Sequence, residues 1–191
     1  MFHKFYSASH RCQFYLFSRA SNDDIVDAYR QLPLNLDLST LDLQIFELLK
    51  KQYWGGTYTP QLVNRVFRES VSILLIGVPD TVAANTAPVL VPILIGCARA
   101  VTDRATFAFV CDVAVDEVYR GSGYGALLVK ALLGQAELRE VSRFHLLSRD
   151  AEFWGKFKFT PLTKCNRHFE LLREWPKKEI IDESSSTDKR S

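Results

Sequence analysis

At 191 residues and a formal net charge of +2, the chain is the size of one domain with its own core, and it offers no electrostatic case for nucleic acid or an acidic membrane as partner. Its 47% hydrophobic and 24% charged residues are ordinary for a soluble globule, and no apolar run approaches the roughly 18 residues of a membrane span. The four cysteines, Cys12, Cys97, Cys111 and Cys165, lack metal-ligand spacing, so no metal centre is expected and all four read as free thiols of a reducing compartment, cytoplasm or nucleus.

Residues 1–22 contain no acid but carry Lys4, Arg11, Arg19 and several serines. That composition is compatible with a mitochondrial presequence, but an ordinary N-terminal extension leading into a first strand over 14–18 is the preferred reading. A short helix is predicted over 24–31, ending before Pro33. Ser39 and Asp42 have the spacing of a capping box. The helix they open turns Leu41, Ile45, Leu48 and Leu49 inward and stops at Gly55-Gly56. Thr59-Pro60 opens a second helix with Leu62, Val63, Val66 and Phe67 as its buried side.

The run over 71–77 is a predicted strand, and the small, turn-prone residues 79–88 are a loop inserted before the next one. That next strand, 89–100, contains Pro92, which limits regular pairing at its start. A turn at Thr102-Asp103-Arg104 leads into a strand over 105–115, so three consecutive strands form an antiparallel meander. The last of these is almost wholly apolar from Phe107 to Val115, broken by Asp112 alone, as a central strand should be. Gly121, Gly123 and Gly125 follow within a few residues, behind Arg120. A helix is predicted over 124–138, crossing to a strand over 144–148 that lies parallel to 105–115 and splays from it near Val115. Asp150 is placed to cap a short helix with Phe153 and Phe157 on one face. The ending, 176–191, is polar enough to read as disordered.

Strand, glycine loop, helix is a phosphate-binding order. Glycines let the backbone approach a ligand without a Cβ in the way, and the first-turn amides of the helix carry partial positive charge. The loop of nucleotide hydrolases needs Lys and Ser or Thr after its last glycine, but Ala126 and Leu127 stand there. The dinucleotide fingerprint needs its third glycine one residue later. What remains is Arg-x-x-Gly-x-Gly, met by Arg120, Gly123 and Gly125 after VCDVAV.

With DVAVDEVYRG beside it, that pattern resembles the acyl-CoA pyrophosphate loop of the GNAT superfamily of N-acyltransferases. The strand 144–148, the Arg-Asp-Ala before the short helix and the Phe-Thr-Pro-Leu ending resemble the same family, as does ARAVTDRATFAF over 98–109. The resemblance spans about residues 40–162 and implies an α/β (α+β) fold. Its central sheet is mixed and mostly antiparallel, with one splayed parallel strand pair and flanking helices, in a single domain over 23–175. It further implies an acetyl-CoA-dependent N-acetyltransferase acting by direct transfer on a primary amine of a small molecule or peptide. A catalytically silent acyl-CoA-binding module is the alternative.

The resemblance places the pantetheine arm of the cofactor along the backbone of Val113, Ala114 and Val115. It places the pyrophosphate on Arg120, Gly121, Ser122, Gly123, Tyr124 and Gly125. Relatives often carry a Glu as general base where Phe109 and Cys111 stand, and neither of these can do that work. Asp112 is the nearby carboxylate. It is a candidate base, or a structural residue satisfied by loop amides or an Arg such as Arg99, since a carboxylate in an apolar strand needs a partner. Strand alternation puts Phe107, Phe109, Cys111, Val113 and Val115 on one face and Asp112 on the other, unless a bulge intervenes. Where many relatives place a Tyr acid, this chain has Trp154, a hydrogen-bond donor but no acid, suited to packing on the cofactor. Tyr53 and Trp54 are candidate walls of the acceptor site, since aromatic faces suit an ammonium. They are equally candidates for closing a helix end against the core.

Overall fold

A computed structural model describes residues 3–7, 12–19, 40–79 and 92–161. They fall into two compact units, Met1–Leu147 and Ser148–Ser191. The helix expected over 24–31, Ser39, the inserted loop from 80 onward and the tail 176–191 lie outside the described residues.

Six strands build one sheet in sequence order: β1 (His3–Ser7), β2 (Cys12–Arg19), β3 (Val71–Pro79), β4 (Ile93–Thr102), β5 (Phe107–Val115) and β6 (Arg143–Leu146). The first four pairings are antiparallel and β5 with β6 is parallel. The expected mixed sheet with a parallel last pair is therefore the observed one. β1 was not foreseen; its five residues pair with β2 within the stretch whose composition also suits a presequence. β4 is described from Ile93, just after Pro92, which cannot donate to a ladder; the expected start at residue 89 lies outside the described residues.

Helix α1 (Leu41–Lys50) buries Leu41, Ile45, Leu48 and Leu49 as its periodicity demands. Its N-cap is Thr40, with no side-chain cap bond, and Asp42 accepts a hydrogen bond from the Asn64 amide instead of closing a capping box. Gly55 is required for a different reason than ending the helix. A Cβ there would lie 1.8 Å from the Leu49 carbonyl oxygen, so only glycine lets the chain fold back over the last turn. Helix α2 (Pro60–Arg68) starts as expected, the Thr59 hydroxyl accepting from the Leu62 amide at 3.2 Å, and it buries Val63 and Phe67. Both helices pack on one face of the sheet over Tyr15, Leu74, Ile76, Val78, Leu94, Cys97 and Ala114.

Helix α3 (Tyr124–Leu133) buries Leu128, Val129 and Leu132. It ends five residues short of the expected Leu138: Gly134 caps it, and a separate 3-10 turn covers Ala136–Leu138. Its Leu128 marks the opposite sheet face, since a Cβ on Gly96 would meet the Leu128 Cδ1 at 2.9 Å.

The turn before β5 is organised by Asp103. Its carboxylate accepts from the amides of Ala105, Thr106 and Phe107 at 2.8–3.0 Å and from the Thr106 hydroxyl at 2.6 Å. These bonds to the charged form hold its carboxyl well below the usual range. In the second unit, Asp150 caps α4 (Ala151–Gly155) by accepting from the Phe153 amide at 2.9 Å.

Candidate active site

The register of β5 decides which groups face one another. Cys97 pairs with Ala114 and Arg99 with Cys111, so β5 carries one residue more than β4 across this interval. That is a β-bulge, and Asp112 takes it with φ 51, a left-handed conformation that Asp tolerates better than most residues. The regular alternation expected for the strand is therefore broken. Phe107, Phe109 and Cys111 keep one face, but Asp112 and Ala114 join it, while Val115, opposite Gly96, turns to the α3 face. The helix-α1 and -α2 face thus receives Cys111 and Asp112 side by side.

Asp112 is buried there in a polar chain. One carboxylate oxygen accepts from the Tyr58 hydroxyl at 2.6 Å and the other from the Arg99 guanidinium. Arg99 also donates to the Ser70 hydroxyl at 3.1 Å. Side-chain exposures of 11% for Arg99 and 4% for Asp112 make this a buried ion pair. Burial first, and the Asp112 carboxylate second, push the Tyr58 phenol far above its ordinary value, so it stays a neutral donor. Burial likewise pushes the Cys111 thiol up to about 12. A thiol so held is no nucleophile near neutral pH. Among the described residues Cys97 and Cys111 are free thiols, and no group of His, Cys, Asp and Glu is placed to hold a metal ion.

Parallel pairing with β6 runs from Phe107–Arg143 to Val110–Leu146 and goes no further. The strands therefore part after Val110, not near Val115, and among the described residues no strand pairs with that edge of Cys111–Val115. On the other edge the Asp116 amide donates to the Ile95 carbonyl at 2.8 Å. Antiparallel alternation then turns the amide and carbonyl of Val115 towards the open edge, and Ala114 towards β4.

The loop beyond β5 is built to leave backbone approachable. A 3-10 turn, Glu117–Tyr119, is capped by Asp116, which accepts from the Val118 amide at 3.1 Å. Gly121 and Gly123 have φ of 79° and 82°, and a Cβ on either would stand in open space, so backbone geometry rather than crowding demands glycine. Gly123 is the N-cap of α3, and the first intrahelical bond is Leu127 to Gly123 at 3.1 Å. The amides of Gly125 and Ala126 consequently have no acceptor within the helix.

Arg120 donates from Nε to the Val115 carbonyl at 3.2 Å and reaches the Gln52 side chain at 3.4 Å, tying the loop to the end of α1. Lys51 pairs with Asp116 at 3.6 Å in the same seam. Ser122 is exposed, whereas the Tyr124 ring is buried against Phe14, 5.2 Å between centroids. Tyr124 can therefore offer a ligand its backbone more readily than its ring.

Of the two aromatic candidates between the helices, Tyr53 is 67% exposed and Trp54 packs against the core cluster. Trp54 meets Tyr53 and Tyr58 edge-on at 6.5 and 6.4 Å. In the second unit Trp154 packs against Phe153, Phe157 and Phe159. Sequence reasoning takes in the loop up to Tyr58 but gives this half-buried residue no role of its own. Tyr58 lies 54 residues from the carboxylate it meets, and no local pattern signals such a contact.

A family model described as the acetyltransferase (GNAT) family matches residues 51–159. Among solved structures, the chain resembles a GNAT-family protein from Xanthomonas campestris pv. campestris, at 22% identity and TM-score 0.53, over 81% of this chain and 93% of that one. It also resembles a GNAT-family acetyltransferase from Streptococcus pneumoniae TIGR4, at 19% identity and TM-score 0.51, over 84% and 99%. At these identities the likeness is one of fold. No curated protein matches the chain. No helix among the described residues is long and apolar enough to cross a membrane. Acetyl-CoA is the acyl donor of the matched family. The open edge at Val115 and the unobstructed backbone of Gly121 and Gly123 fit such a donor. Motif, sheet order, parted strands and the matched segment agree, and the chain belongs to the GNAT acetyltransferase family.

Proposed function

We propose that the protein transfers the acetyl group of acetyl-CoA directly to a primary amine of a small molecule or peptide. The observation that carries this reading is the stretch of β5 past Val110, where the parallel partner stops just before the glycine loop begins. In this reading Val113, Ala114 and Val115 flank the pantetheine arm, with the Val115 amide turned to it. The loop from Arg120 to Gly125 holds the pyrophosphate through backbone amides at the α3 N-terminus, where aligned peptide dipoles favour negative charge. Arg120 adds a cation whose guanidinium is already held beside the opening by Val115 and Gln52.

Transfer forms a bond from the amine nitrogen to the thioester carbonyl carbon and breaks the carbon–sulfur bond, whose electron pair leaves with sulfur. The amine must also shed a proton. Asp112 has both carboxylate oxygens engaged, by Tyr58 and Arg99. We therefore read it as the residue that holds the bulge and anchors the α1–α2 loop, with Tyr53 and Trp54 presented from that loop to the acceptor.

The silent-module alternative draws on one observation, the Phe109 side chain and protonated Cys111 thiol at the positions where a base is usual. Release of CoA thiol from acetyl-CoA against alkyl amines, aryl amines and peptide N-termini separates the two. Transfer to any of them supports the enzyme, whereas CoA binding without transfer supports the module.

A further inference from the structure

We propose that Gln52 is a positioning residue for the acyl donor: it holds the Arg120 guanidinium beside the glycine loop without neutralising its charge. The inference rests on the reading that this loop takes the pyrophosphate of CoA. Arg120 donates from Nε to the Val115 carbonyl at 3.2 Å and from an Nη nitrogen to Gln52 Oε1 at 3.4 Å. The Val115 carbonyl is turned to the open edge of β5, so the first bond sets the guanidinium at the opening. The second bond fixes the direction of its planar fork. Both acceptors are uncharged. A guanidinium carries five N–H donors, so these bonds leave donors over for a ligand. Among the described residues Arg120 makes no ion pair, and its full charge faces what enters. Arg99 shows the contrast: its guanidinium is buried and matched to the Asp112 carboxylate.

Two features at the end of α1 maintain this arrangement. The first is the orientation of the Gln52 amide. Its Nε2 donates to the Leu48 carbonyl at 3.0 Å, in the last turn of α1 where intrahelical partners run out, and this turns Oε1 to Arg120. The Gln52 backbone is held as well, donating to the Leu49 carbonyl and accepting from the Gly55 amide, both at 2.9 Å. The second feature is Lys51, the neighbour of Gln52. Asp116 is an acid close enough to the loop to compete for Arg120. One of its oxygens accepts from the Val118 amide at 3.1 Å and the other pairs with Lys51 at 3.6 Å. The end of α1 thus supplies a neutral acceptor to the arginine and a cation to the acid. A phosphate anion arriving at the loop meets a guanidinium that is fixed in place and still carries its charge.

The test measures CoA affinity by calorimetry for wild type, Gln52→Ala, Gln52→Glu, Arg120→Ala and the double variant Gln52→Ala/Arg120→Ala. Loss of one positioning bond should weaken CoA binding about 3- to 10-fold in Gln52→Ala. Gln52→Glu can still accept from Arg120, and holds it more firmly as an ion pair, but cancels its charge. We expect a weakening of about tenfold or more, larger than that of Gln52→Ala. A merely structural tether gives the opposite order, because a carboxylate holds a guanidinium better than an amide does. In the Arg120→Ala background, Gln52→Ala should weaken binding by less than about twofold further, since nothing is left to position. A Gln52→Glu variant that binds CoA as tightly as wild type, or more tightly than Gln52→Ala, overturns the proposal. So does a Gln52→Ala loss that persists in full without Arg120. If Gln52→Ala does not fold, Gln52→Glu against wild type decides. A wild type that does not bind CoA removes the reading of the loop and this proposal with it. That failure is distinguishable, because failure of the proposal alone leaves CoA binding by wild type, and its loss in Arg120→Ala, intact.

Discussion

Replacing Asp112 with Asn removes one charge from the pair with Arg99 and changes little else. Asn tolerates the positive φ of the bulge and keeps an oxygen for Tyr58 or Arg99. The cost follows from burial. Were the pair on the surface, its loss would cost about 0–1 kcal/mol. With side-chain exposures of 11% and 4%, deleting one partner strands a buried guanidinium, a change that costs about 3–5 kcal/mol. The bond from Arg99 to Ser70 survives the substitution, which argues for the lower end, about 3 kcal/mol. That is a loss of roughly two decades in the folding equilibrium. With a urea slope of about 2 kcal/mol/M it moves the midpoint down by about 1.5 M. Equilibrium urea unfolding followed by circular dichroism reads this directly. A midpoint shift below about 0.5 M would refute the buried-pair reasoning, since about 1 kcal/mol is all a solvated pair supplies. In conditions where the variant is folded, it should escape the roughly 10²–10⁴-fold loss of kcat/KM that removing a general base brings, because both carboxylate oxygens are already engaged. A loss of that size in a folded Asp112→Asn would instead make this carboxylate the base.

Arg120→Ala should weaken CoA binding by about 1.5–3 kcal/mol, the range for a hydrogen bond to a charged group, as calorimetry would show. Cys111, pushed up to about 12 by burial, should alkylate with iodoacetamide at pH 8 far more slowly than a free cysteine, with reactivity rising only as pH climbs towards that value. Peptide mass spectrometry separates it from the other thiols, and rapid labelling would contradict its burial. Trp54→Ala should raise KM for the acceptor and leave CoA affinity nearly unchanged, but lower stability as well, because the ring packs on the core.

The parts of this architecture legible in the sequence are those specified by neighbours along the chain. β5 covers the apolar run from Phe107 to Val115, starting two residues after the expected 105, and Thr59 and Asp150 cap the helices they were expected to cap. The glycine spacing behind Arg120 locates the loop because φ above zero at Gly121 and Gly123 is a local demand. Gly134 ends α3 four residues before the expected limit at Leu138, a helix-stop signal that the expectation did not use.

What stayed hidden depends on pairing between distant segments. Nothing within VCDVAV shows that β4 offers one residue fewer than β5, so the bulge at Asp112 and the side it turns to emerge only from register. The parting of β5 from β6 after Val110 is set by where β6 stops, at Leu146. Tyr58 meets Asp112 across 54 residues.

The central claim is that the open edge of β5 and the loop after it bind acetyl-CoA for transfer to an amine. The most direct measurement is CoA-thiol release with acetyl-CoA and an amine panel, run on wild type and on Gly123→Val. At φ 82° a β-branched residue is strained whatever space surrounds it, so the variant should lose both CoA binding and turnover while circular dichroism shows a folded protein. Turnover by wild type and none by Gly123→Val is the predicted result. A folded Gly123→Val that binds CoA and turns over as wild type does would contradict the account.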